Sequence, residues 1–244
     1  MKRFILLFLL TASLQCISQT HNERAALLEI GYGVAIPLGA FEKSDVKDSA
    51  SGYATSGTNL NVIFTYMVSK KIGVSAMISS SVNKLNEGGV KEKFNIYAKR
   101  IGDAFVSDIQ YAKWNTTAYL AGGQFIQPLQ KAAFNFQLLA GYSRTEFPEV
   151  NAIIYKDSLI DAITVDQYAE SVASAFCFNV GAGLKYNVSD IMCINLNANY
   201  FSANPEFDDV KTIGKVNGNT EEEVYSYHQK ISLLNVTVGV GFRF

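Results

Sequence analysis

Ser226 and His228 stand two residues apart, a spacing that puts a hydroxyl and an imidazole on one face of an extended strand. Nucleophilic catalysis would need such a nucleophile and base within hydrogen-bond reach. No accompanying motif supports the pair, and Ser-x-His arises readily by chance. His21, the other histidine, lies in the N-terminal tail. The expectation is a solvated loop-edge histidine and a protein that is not an enzyme. Two His and three Cys leave little material for a metal site. There is no phosphate loop, zinc spacing or glycine-rich nucleotide fingerprint, so no cofactor is expected.

Three charges stand out because of where the pattern puts them. Glu29, Lys185 and Arg243 sit in rows otherwise made of Gly, Ala, Ser and Asn, near one end of their strands. If the first and last strands close a barrel, Glu29 approaches Arg243 inside it. The chemistry available to such a cluster is a polar gate or proton path. The simpler expectation is a buried ion pair that satisfies an otherwise costly interior charge. Cys177 and Cys193 fall on adjacent strands with an offset of about nine residues, or roughly 30 Å. A disulfide needs Cα atoms within about 7 Å, so both are expected to be free thiols pointing inward.

The elements that must position these groups are strands. Phe244, Phe242, Val240, Val238, Val236 and Leu234 alternate with Arg243, Gly241, Gly239, Thr237 and Asn235. The same two-residue period, one bulky apolar row against one small or polar row, recurs at 28–36, 59–68, 72–79, 134–143, 176–186 and 192–200. An eighth segment, Trp114–Leu129, loses a clear phase around Gly122-Gly123, where a bulge is expected. Tight turns at 69–71, 128–132 and 187–190 alternate with excursions at 41–57, 83–113, 144–172 and 203–228. Long and short connections at opposite ends describe an eight-stranded antiparallel transmembrane β-barrel of the outer-membrane type.

A soluble barrel would turn the bulky rows inward. Eight strands enclose room for only a modest set of side chains, and the bulky rows supply about five large residues per strand. The Gly, Ala, Ser and Asn rows do fit inside, and the bulky rows carry no charge in the seven clearly phased strands. The barrel is therefore expected to be apolar outside. Aromatic residues gather at the ends of the outward rows, as interfacial girdles should. Tyr66, Phe134, Phe136, Tyr186, Phe242 and Phe244 lie beside the tight turns or the C-terminus. Trp114, Tyr142, Phe176 and Tyr200 are assigned to the other girdle, beside the long loops.

The N-terminus explains delivery. Lys2 and Arg3 precede the apolar run Phe4–Leu10, and Cys16-Ile-Ser-Gln19 allows cleavage after Ser18. The run is about seven residues against roughly 20 for a membrane-spanning helix. Residues 1–18 read as a secretory signal peptide and 19–244 as the barrel domain. Cys16 invites acylation, but Gln15 precedes it where a small residue is usual. Removing Lys2 and Arg3 from 21 basic residues leaves 19 against 22 acidic ones, a net of −3 with no basic excess for nucleic acid.

With the signal peptide, the strand and loop rhythm and the ending Val236-Thr-Val238-Gly-Val240-Gly-Phe242-Arg-Phe244, the chain resembles the small outer-membrane β-barrel proteins of the Gram-negative cell envelope. It is similar to the OmpA-type eight-stranded transmembrane barrel domain, with no periplasmic domain attached. The resemblance implies outer-membrane lipid and lipopolysaccharide as surroundings. It also implies that Val236, Val238, Val240, Phe242 and Phe244 form the signal read by the barrel-assembly machinery during insertion. The expected role is structural or interactive, with an unidentified protein partner at the extracellular loops, because recognition sits on loops held by a rigid scaffold. The alternatives are a narrow porin-like channel and a lipid-modifying enzyme. Loops 144–172 and 203–228 each carry a net charge of −4, which would suit a basic partner or cations, or simply a solvated outer surface. Residues 152–165 are expected to form a hairpin turning at 156–158.

Overall fold

The computed structural model describes residues 25–101, 104–156, 162–168, 171–216 and 219–244. The expected signal peptide, Cys16 and residues 19–24 of the expected barrel domain lie outside the described residues. In chain order the elements are β1 (Ala26–Pro37), β2 (Gly57–Met67), β3 (Ile72–Asn83), α1 (Glu87–Ile101), β4 (Ala104–Tyr111), β5 (Trp114–Pro128) and β6 (Ala132–Glu146). They continue with β7 (Val150–Lys156), β8 (Ala162–Tyr168), β9 (Val172–Asn187), β10 (Met192–Ala203), β11 (Glu206–Val216), β12 (Asn219–His228) and β13 (Ile231–Arg243). A short 3-10 turn, Gly39–Phe41, follows β1.

Eight strands close into an antiparallel barrel in the order β1-β13-β10-β9-β6-β5-β3-β2. The seam joins the two ends of the chain, with Glu29 opposite Gly241 and Val34 opposite Val236. Following the registers round from Glu29 through Ile63, Met77, Leu120, Gly141, Cys177, Ala203 and Ile231 returns to β1 at position 39 when the seam is extended by one pair. That is a stagger of ten residues. For eight strands it corresponds to a tilt of about 40°.

Alternation sets the two surfaces. Asn59, Asn61, Thr65, Ser75, Gln124, Asn135, Gln137 and Asn197 are buried in the lumen, while Ile30, Leu60, Phe136, Leu138, Leu196 and Val238 stand exposed outside. A polar interior and a continuous apolar exterior suit a barrel surrounded by lipid and not by water. No helix among the described residues is long and apolar enough to cross a membrane. Two of the tight turns repeat one device. The Ser69 hydroxyl accepts from the Ile72 N–H at 3.1 Å, and the Ser189 hydroxyl from the Met192 N–H at 3.1 Å, fixing both hairpins.

Two expectations need correction. The phase of β5 is unbroken at Gly122-Gly123, because Gly122 pairs with Ser75 and Gly123 with Val74 in a continuous register. Gly122 faces the lumen where a Cβ would collide with the Leu138 carbonyl, so the glycine serves close approach and not a bulge. Three of the four long excursions, 83–113, 144–172 and 203–228, are also not loops. They form a second sheet, ordered β12-β11-β8-β7-β4, with α1 packed on β4. The expected hairpin over 152–165 corresponds to the pairing of β7 with β8, whose turn lies outside the described residues.

Candidate functional site

Near the turn end of the lumen lies a buried ion pair. Lys185 Nζ lies 2.6 Å from Glu29 Oε2, with each side chain only 1% exposed. These residues are on strands that are not neighbours, so Lys185 reaches across β10 and β13. It can do so because β13 contributes Gly239 and Gly241 there. A Cβ at Gly241 would come 2.7 Å from Cys193 Sγ and 3.2 Å from Glu29 Cγ. The other carboxylate oxygen accepts from the Asn195 amide at 2.9 Å. Behind it runs a chain of amides, Asn197 donating to Asn195 at 3.2 Å and Asn135 to Asn197 at 3.3 Å. Satisfying both charges this way is what makes their burial tolerable.

Arg243 does not join the pair, contrary to the expectation that it meets Glu29. Register places it opposite Leu27, one inward step closer to the turn end, and its guanidinium donates to the Asn187 side-chain oxygen. Lys185, Asn187 and Arg243 line a mouth cavity of about 770 Å³ that opens at the turn end.

The opposite mouth is filled. Trp114, assigned from sequence to an outer girdle, is 2% exposed and points into the barrel. The missing bulge explains the error, since an unbroken phase puts the even residues of β5 inside. Its indole N–H donates to the Gly52 carbonyl at 3.0 Å. Around it stand Phe41 at 5.4 Å, Phe147 at 5.2 Å and Phe207 at 6.1 Å between ring centroids, and Phe147 meets Tyr227 at 5.3 Å. Edge-to-face contacts of this kind add to the apolar burial. Gln229, fully buried, donates to the carbonyls of Ala50 at 3.3 Å and Lys230 at 3.1 Å. The Tyr227 hydroxyl lies 2.8 Å from Gln229 Oε1 and 3.2 Å from the Ser51 carbonyl. Burial, then the neighbouring Tyr225, Tyr53 and Asp48, push the Tyr227 phenol up to about 12. The segment between β1 and β2 is thus clamped across the mouth, with Tyr53 held at φ 52°. Sequence reasoning missed this plug. Its one available signal was the clustering of Phe41, Trp114, Phe147 and Phe207 at the strand ends nearest the long connections.

The remaining sequence candidates distribute as follows. Tyr66, Phe134 and Tyr186 are exposed on outward rows at the turn end, and Tyr142 and Tyr200 at the other. Val238, Val240, Phe242 and Phe244 face outward, Val236 is half-buried, and the Phe244 backbone pairs both ways with Ala26 to complete the seam. Cys177 and Cys193 are free and buried; Cys177 pairs across with Ala203, ten positions from Cys193. Ser226 and His228 share a face of β12, but no hydrogen bond joins them. His228 Nε2 instead meets Glu206 Oε1 at 3.0 Å on the exposed surface.

No protein-family model matches the chain, and no curated protein does. Among solved structures, a major outer membrane protein from Thermus thermophilus is similar at 13% identity, covering 90% of this chain and 100% of its own, with a TM-score of 0.47. The attachment invasion locus protein Ail of Yersinia pestis is similar at 14% identity, over 91% and 100%, with a TM-score of 0.42. The outer membrane protease OmpT of Escherichia coli is similar at 9% identity, over 94% and 100%, with a TM-score of 0.39.

Proposed function

We propose that this protein is an outer-membrane barrel that conducts no solute and holds a folded extracellular cap as a platform for protein binding. The observation that carries the reading is the second sheet, β12-β11-β8-β7-β4, seated on the aromatic plug around Trp114. Chain that only joined strands would not need its own hydrogen-bonded sheet. Ordering backbone costs roughly 1–2 kcal/mol per residue, and the cap offsets that with its ladder and a buried aromatic core. The lipid-facing rows carry Val, Leu, Ile, Phe and Tyr, and the cap side faces water, so the barrel serves as the mount. Lipopolysaccharide and lipid are the surroundings of the outward rows, and the barrel-assembly machinery is the reader of the C-terminal strand.

A second reading, a narrow channel, draws on the mouth cavity and the Glu29–Lys185 pair. Against it stand the apolar side chains inside the barrel (Ile63, Met77, Leu120 and Leu139) and the plug above them. Conductance of the reconstituted protein in planar bilayers separates the two. The platform reading expects no steps above the bare membrane, while steady steps that change in Lys185→Met would overturn it. Enzymatic activity draws no support from the His228–Glu206 ion pair, whose side chains both stand exposed on the cap.

A further inference from the structure

The two mouths of the barrel are finished differently. The aromatic plug fills one, whereas the turn end keeps its cavity of about 770 Å³, within the roughly 300–1,000 Å³ range of small-molecule sites. The lining of that cavity divides along the circumference. On the arc that runs from β6 through β5 to β2 and β1 it is apolar, with Ala133, Ile126, Met67 and Leu27. Val68, just past β2, and Leu129, just past β5, extend this wall at the rim and are 65% and 49% exposed. On the remaining arc, from β9 to β13, the lining is polar: Lys185, Asn187 and Arg243.

The charge on the polar arc is not balanced. Among the described residues, no acid lines the cavity. Lys185 is answered by Glu29 from inside the lumen. Arg243, half-buried, has no ion pair among the described residues, and its side chain makes one hydrogen bond, to the neutral Asn187 side-chain oxygen. A guanidinium carries five N–H donors in a planar fork, which a carboxylate or phosphate meets with two parallel bonds. An unanswered guanidinium faces an apolar wall across one cavity, and that combination selects an anion with an apolar body.

We propose that the turn-end mouth binds a single-tailed amphiphilic anion, with a carboxylate or phosphate head on Arg243 and its tail along Ile126, Leu129 and Val68. The barrel wall is a closed ladder, so the ligand enters from the water beyond the turns and not sideways from the bilayer. The site does not open the lumen, because the Glu29–Lys185 pair and the Asn195 amide lie inward of it. It is independent of the cap and of whatever the cap binds.

The test uses the protein isolated from outer membranes, in nanodiscs of zwitterionic lipid, and decanoate carrying a diazirine at the end of its tail. Cross-linked positions are read by mass spectrometry. Adducts are expected at 67–70 and 126–133, displaced by plain decanoate and not by decyltrimethylammonium. Labelling there should fall roughly tenfold or more in Arg243→Gln. Asn187→Asp should do the same while keeping the guanidinium, because it gives Arg243 a carboxylate in place. Far-ultraviolet circular dichroism shows that each variant keeps its strands, and a loss in either folded variant supports the site. Adducts spread evenly over the outward rows, equal displacement by the ammonium, or full labelling in the folded variants would each overturn the proposal. Loss of labelling when phosphatidylglycerol replaces the zwitterionic lipid would give the site to a membrane headgroup and overturn the water-borne source; retained labelling supports it.

Discussion

Breaking the buried pair inside the barrel should have an asymmetric cost. Glu29 is held by Lys185 and Asn195 in the narrow interior and does not border the mouth, whereas Lys185 lines the 770 Å³ mouth cavity on a flexible stem. Lys185→Met therefore strands a carboxylate with one amide donor and should cost about 3–5 kcal/mol, the usual penalty for an uncompensated buried charge. Glu29→Leu lets the ammonium swing toward the mouth and reach water there. Its cost should be about 1–3 kcal/mol, mostly the Asn195 amide left without its acceptor. Replacing both removes the charge problem altogether. The double variant should lie within about 2 kcal/mol of the native protein and above Lys185→Met alone. The assay is reversible urea unfolding in lipid vesicles, read by the emission of Trp114, the one tryptophan in the chain. A Lys185→Met cost below about 1 kcal/mol, or a double variant as unstable as the two single changes summed, would refute the argument.

Three further outcomes follow from named contacts. Trp114→Ala should destabilise the cap by about 3–5 kcal/mol in urea unfolding followed by circular dichroism, and native Trp114 emission should be untouched by brominated lipid; quenching would return the residue to the lipid face. Val238→Arg, in the middle of an outward row at 59% exposure, should cost about 2–4 kcal/mol against within about 0.5 kcal/mol for Asp208→Arg on the wet cap, measured by the same unfolding assay. The raised phenol of Tyr227 favours the folded cap at every pH below the ordinary tyrosine range, and that contribution is lost as pH rises from about 10 to about 12. Tyrosinate absorbance should show a late step near pH 12 that Tyr227→Phe removes. A titration complete by pH 11 would contradict the buried environment.

The barrel was legible because its strands obey a single demand. A residue facing lipid must be apolar and one facing a narrow lumen must be small or polar, so the period of two survives in every clear strand. The cap strands face neither lipid nor a narrow lumen. In β11, for instance, Phe207 and Val210 are fully buried, yet Asp208 and Asp209 stand between them beside the register shift, and the result reads as a polar loop. Trp114 was misplaced because two adjacent glycines look like a bulge, whereas one admits the neighbouring backbone and the other faces open space. The partner of Glu29 was misread because sequence reasoning looks to the neighbouring strand. Lys185 reaches it from two strands further round, over positions that β13 leaves as glycine. Such a contact depends on the width and stagger of the closed barrel, and no local spacing encodes it.

The platform claim is tested most directly by photo-crosslinking in intact cells from Val224 and Thr212 on the cap, with Lys70 at the opposite end of the barrel as the reference position. The account predicts one recurrent protein adduct from the cap positions and none of that identity from Lys70. Adducts from the cap with lipopolysaccharide alone would contradict it.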